Sequence, residues 1–140
     1  MIEQIYFSEI IKEFLAENFP EFLSSLDFKG DGSFDCDLRN QADTFSIWLA
    51  TYNSEITIGL EDPDGKTDIH THLSCDDMED LPETLDRLAK MINEIREDKL
   101  VLYKDESGYH WTDEPMVWKH LKLGDRYTIF QRCNLCFSFK

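Results

Sequence analysis

Phe7, Ile10, Ile11, Phe14 and Leu15 recur at i, i+3, i+4, i+7 and i+8, with Glu9, Lys12 and Glu13 between them. That rhythm is one apolar stripe of an amphipathic helix, and it predicts an N-terminal helix ending near Asn18, ahead of Pro20. The period then shortens. Phe34, Cys36 and Leu38 alternate with Asp35, Asp37 and Arg39 behind an Asp31-Gly32 turn signal, as in a strand with one face buried. Residues 44–52 and 55–60 are two further β-rich runs separated by Asn53-Ser54, a spacing that predicts an antiparallel hairpin. Residues 61–66, Glu-Asp-Pro-Asp-Gly-Lys, read as a loop, and residues 67–73 as another short strand of a meander.

Leu81, Leu85, Leu88, Ile92 and Ile95 step by four, three, four and three residues behind Asp80 and Pro82, which predicts a central helix. Glu79, Asp80 and Glu83 crowd its N-terminus, where the helix dipole favours them, and Arg87 and Lys90 follow within i+4 reach. Residues 99–104 and 109–112 are strand-like around Glu106-Ser107-Gly108, and residues 127–139 form a last β-rich run. Strands flanked by two helices without strict alternation predict one α+β domain over residues 1–140: an antiparallel meander sheet with the N-terminal and central helices packed on it.

Composition narrows the function classes. The 140 residues carry 29 acidic against 14 basic side chains, a formal charge of −15. Such a field repels nucleic-acid phosphates and anionic membrane surfaces and speeds encounter with a basic protein. An apolar fraction of 41% with 13% aromatics is enough for a packed interior. No apolar run approaches the roughly 20 residues of a membrane span. Glu3 and Glu9 stand where a signal peptide carries positive charge, so a cytoplasmic protein is expected. Cysteines at 36, 75, 133 and 136 are too irregular for a disulfide scaffold.

Candidate chemistry is sparse. Asp68, His70 and His72 alternate along one predicted strand, and two imidazoles with a carboxylate suit a divalent ion such as zinc. Ile69, Thr71 and Leu73 form an equally good apolar face, which makes the histidines the polar side of an amphipathic strand. Cys133 and Cys136 form a CxxC, but a three-residue offset on a strand sends the sulfurs to opposite faces. Residues 27–38 brush a calcium loop and fail it, with Lys29 at the third position and Leu38 at the twelfth. GxGxxG, Walker, HExxH and GxSxG signatures are missing. No cofactor and no catalytic residue is expected. Tyr109 and Trp111, beside the Gly108 turn, are large amphipathic rings of the kind that anchor interfaces.

The stretch from Glu55 to Gly108 resembles the small immunity proteins of bacterial polymorphic toxin systems. The order of parts carries the likeness: Glu55-Ile-Thr-Ile-Gly-Leu-Glu-Asp62, His70-Thr-His-Leu73, the helix from Leu81 to Glu97, and Lys99-Leu-Val-Leu-Tyr-Lys104 turning at Ser107-Gly108. The resemblance implies a non-enzymatic protein that binds a cognate toxin, often a basic nuclease, and blocks it. The expected partner-binding residues are Glu61, Asp62, Asp64, Asp76, Asp77, Tyr109 and Trp111. A divalent-metal domain or small metal-dependent enzyme on Asp68, His70 and His72 is the alternative. A third is an oligomerising domain that pairs through the apolar strand around Phe137 and Phe139.

Overall fold

The structure, a computed structural model, describes residues 1–39, 45–61 and 69–97 in full and residues 101–105, 108–112 and 128–129 as backbone. Helix α1 spans Gln4–Asn18 and α2 spans Leu81–Arg96. Strands β1 (Asp27–Phe28), β2 (Phe34–Arg39), β3 (Ser46–Ala50), β4 (Ile56–Glu61) and β5 (Ile69–Leu73) form one antiparallel sheet in that order. The α+β fold, the meander and both helices are as the hydrophobic pattern predicts.

One face of the sheet and one face of each helix share a single core. Phe34, Cys36, Ile47, Leu49, Ile56, Ile58, Leu60, Ile69 and Leu73 point inward and meet Phe7, Ile11 and Leu15 of α1 and Leu81, Leu88, Ile92 and Ile95 of α2. Register sets this face, because neighbouring inward residues pair directly: Cys36 with Leu49, Leu49 with Ile58, Leu60 with Ile69. A one-residue slip would turn the whole set to the outside.

A 3-10 turn at Pro20–Ser25 joins α1 to β1, an element without a sequence signal beyond Pro20. The β3–β4 hairpin closes through Tyr52–Ser54, with Asn53 and Ser54 at φ +60° and +52°. This left-handed pair is stabilised from α1. The Gln4 amide accepts from the Ser54 backbone N–H at 2.8 Å and donates to the Thr51 carbonyl at 2.8 Å, and the Ser54 hydroxyl donates to the Ile2 carbonyl at 2.7 Å. The buried hydroxyls of Ser8 and Thr51 meet at 3.0 Å, and Thr51 Oγ1 accepts from the Phe34 N–H. The buried hydroxyls of Ser8, Thr51 and Ser54 are thus all paired, the condition for burying them at all.

Strands β6 (Val101–Asp105), β7 (Gly108–Thr112) and β8 (Thr128–Ile129) form a second sheet ordered β7-β6-β8. The hairpin expected around Gly108 is thus present but does not extend the meander, and β7 approaches β5 without pairing to it. Cys133, Cys136, Phe137 and Phe139 lie outside the described residues. No described helix is long and apolar enough to cross a membrane.

Candidate functional site

Chain direction decides which acidic residues gather. Ile56 faces Leu73 at one end of the β4–β5 pair and Leu60 faces Ile69 at the other. The 74–80 segment leaves the sheet beside Ile56, whereas Glu61 is exposed at the opposite end, about 17 Å away by strand rise. Glu61 therefore does not share a surface patch with Asp76 and Asp77. Asp62, Asp64 and Asp68 lie outside the described residues. Tyr109 and Trp111 sit on β7, which lies next to β5.

Asp76, Asp77, Met78, Glu79 and Asp80 are all exposed. Among the described residues no cation forms an ion pair with any of these four carboxylates. Asp77 has a structural task as well. Its Oδ1 accepts from the backbone N–H groups of Glu79 at 2.9 Å and Asp80 at 3.3 Å, folding the turn that starts α2. The Thr84 hydroxyl lies 3.1 Å from the carbonyls of both Ser74 and Asp80 and ties the first helical turn to the end of β5. The helix dipole offsets charge within the first turn, which accounts for Asp80 and Glu83. Asp76 is five residues before Leu81 and makes no hydrogen bond or ion pair with a described residue. Its charge is left to solvent.

Beside Asp76 is a cavity of about 210 Å³ lined by Met1, Asn53, Ser54, Glu55, Ser74, Cys75 and Asp76. It joins the start of α1, the β3–β4 turn and the acidic segment into one end of the molecule. Cys75 is buried here, and its Sγ is 3.4 Å from the Asp77 carbonyl. Burial pushes its thiol above the usual range, with the nearby carboxylates of Asp80, Asp77 and Asp76 acting in the same direction. A thiol held protonated is a poor nucleophile.

The outward face of the sheet carries His70 and His72, both exposed. The Trp48 indole lies across Gly59, its strand neighbour, so closely that a Cβ there would stand 2.5 Å from Trp48 Cε2. The His70 ring follows at 6.1 Å from the indole, and His72 meets His70 edge-on at 5.2 Å. His72 Nδ1 is 2.8 Å from Glu55 Oε1 and 3.0 Å from Thr57 Oγ1. The two histidines thus belong to a ring row and an acid pair on a strand face. Among the described residues no three His, Cys, Asp or Glu side chains are grouped to hold a metal ion.

No family model matches the chain, and no curated protein or solved structure matches it either. Sequence reasoning missed Met78, exposed in the middle of the acidic run, and the packing of Trp48 over Gly59 on the sheet face. The Trp48 signal was available: Gly59 interrupts a strand otherwise built of Ile, Thr and Leu, and glycine inside a strand often marks a close approach.

Proposed function

We propose that this chain is a non-enzymatic protein-binding domain of the toxin-immunity type. It acts in the cytoplasm by docking its acidic surface onto a basic partner and covering the partner's working surface. The observation that carries this reading is the segment 76–80: four exposed carboxylates that no cation among the described residues pairs, on a turn held by the Asp77 hydrogen bonds. Unneutralised carboxylates on a fixed backbone are suited to occupy a site built for phosphates, and the charge of −15 steers a basic protein toward them. The same field works against nucleic-acid and anionic-membrane partners.

The resemblance from Glu55 to Gly108 supports a cognate toxin as that partner, and a toxin of this kind is encoded beside its immunity protein. The test is calorimetric titration of the neighbouring gene's product with wild-type domain and with the Asp76→Lys/Glu79→Lys variant. Both substitutions are at exposed side chains outside the structural hydrogen bonds of the turn. Tight binding by the wild type that the variant loses supports the proposal. Equal binding by both removes the acidic segment from the interface.

A further inference from the structure

Six large apolar side chains are notably exposed among the described residues: Met1, Ile5, Tyr6, Phe28, Tyr52 and Met78. Ile5 and Tyr6 lie on the first turn of α1 and Tyr52 on the hairpin turn hydrogen-bonded to it through Gln4 and Ser54, with Met1 on the segment just ahead of the helix. The β1–β2 turn reaches the same helix, with Gly32 packed against Ile5 and the Phe28 ring beneath Lys12. Ile5, Tyr6 and Tyr52 are 59%, 53% and 67% exposed, so this is an apolar surface and not the margin of the core.

Its surroundings are mostly acidic. Glu3, Glu9, Asp27 and Asp31 are exposed around it; of the nearby cations, Lys29 is held by Asp27 at 2.7 Å and Asp35 at 3.2 Å, and Lys12 lies over the Phe28 ring at 5.6 Å. The cavity beside Asp76 is lined by Met1 and Asn53 together with Glu55 and Asp76. The apolar surface is therefore continuous with the acidic segment 76–80. An apolar centre with a polar, charged rim is the anatomy of a protein interface. Because the Gln4 and Ser54 bonds fix its shape in advance, little ordering is needed on binding.

We infer that the first turn of α1, with Ile5, Tyr6 and Tyr52, is the apolar anchor site for a basic protein segment in which a large apolar residue is flanked by Lys or Arg. Charge selects this occupant. A second copy of the chain would bring another −15 and another acidic rim against the first, and an anionic membrane would be repelled in the same way. The inference rests on the proposed binding function and extends it from the acidic segment to a specific apolar contact.

The test is nitrogen-15 NMR of the intact chain titrated with short synthetic peptides. One series carries a Phe or Leu between Lys and Arg residues, and a matched series replaces that residue with Gly. The inference predicts shift changes at Ile5, Tyr6 and Tyr52 with the apolar series and at least about tenfold weaker binding by the Gly series. Tyr6→Ser and Tyr52→Ser, both at exposed positions, reproduce that loss while keeping the native spectrum. Equal binding by the two series with shifts confined to residues 76–80 overturns the apolar anchor but leaves the acidic interface standing. Shifts at neither place overturn both. Concentration-dependent dimerisation abolished by Tyr6→Ser assigns the surface to self-association and also overturns the inference.

Discussion

The hydroxyl of Ser25 lies 2.8 Å from the backbone N–H of Asp37 and 2.8 Å from its carbonyl oxygen, so one side chain occupies the groups that a neighbouring strand would take. Pairing of Asp27 with Asp35 continues to Lys29 and Ser33, whose backbone bond is 2.7 Å, and in that register residue 25 falls opposite Asp37. The backbone has curled into the 3-10 turn by then, and the hydroxyl replaces the missing strand. A paired edge does not template association with another chain. Ser25→Ala should lower stability by about 1–2 kcal/mol in urea unfolding and speed aggregation measured by light scattering. An unchanged midpoint would show that the contact contributes nothing.

Gln4 holds the β3–β4 turn from the side. Its amide serves the Ser54 N–H and the Thr51 carbonyl at once, at a turn where a serine sits at φ +52°, a conformation uncommon outside glycine and asparagine. Gln4→Ala should destabilise by about 1–3 kcal/mol and remove hydrogen-exchange protection at the Ser54 amide before that of the β2–β3 ladder.

Trp48 and Gly59 form a single packing unit on the outer face of the sheet. Any side chain at 59 displaces the indole, so Gly59→Ala should cost about 1–3 kcal/mol in the wild type. The cost should shrink in a Trp48→Ala background, which a double-mutant cycle reads as coupling between the two sites. Equal costs in both backgrounds would place the penalty in the backbone instead.

Cys36 is buried on the inward face of β2, beside Leu49 of β3. Burial, with Asp37 and Asp35 adding to it, pushes its thiol up from 9.0 to about 12. Between those values the unfolded chain gives up this proton and the folded chain keeps it. The contribution is therefore complete below pH 9 and falls as the pH rises toward 12, by about 1.4 kcal/mol per pH unit at most. Urea unfolding across this alkaline window should show the extra slope in the wild type and lose it in Cys36→Ala. At neutral pH, alkylation mapped by mass spectrometry should spare Cys36 until the protein unfolds.

The helices and strands β2 to β5 of the meander were legible because burial follows period. Phe7, Ile11 and Leu15, then Leu81, Leu88, Ile92 and Ile95, are core residues at helical spacing, and Ile56, Ile58 and Leu60 are core residues at strand spacing. The short β1, the 3-10 turn and the edge closure by Ser25 have no such signature, because each depends on what lies across the chain and not on local pattern. For the site, Asp76 and Asp77 were legible as exposed charge. Glu61 was grouped with them by nearness in sequence, and the β4–β5 register places it at the other end of the strands. Ile5 and Tyr6 fall outside the stripe from Phe7 to Leu15, so their exposure follows the helical period, whereas their placement beside Tyr52 depends on the Gln4 bonds across the chain.

The central claim is that a basic protein docks on the acidic corner formed by segment 76–80 and the start of α1. The most direct measurement is the affinity of the intact domain for the product of the neighbouring gene, taken at low and at high salt, with that product's activity followed in the same samples. The account predicts tight binding that weakens as salt screens the carboxylates, together with inhibition in proportion to the complex formed. Absence of binding at either salt, or binding indifferent to salt that leaves the activity intact, would contradict it.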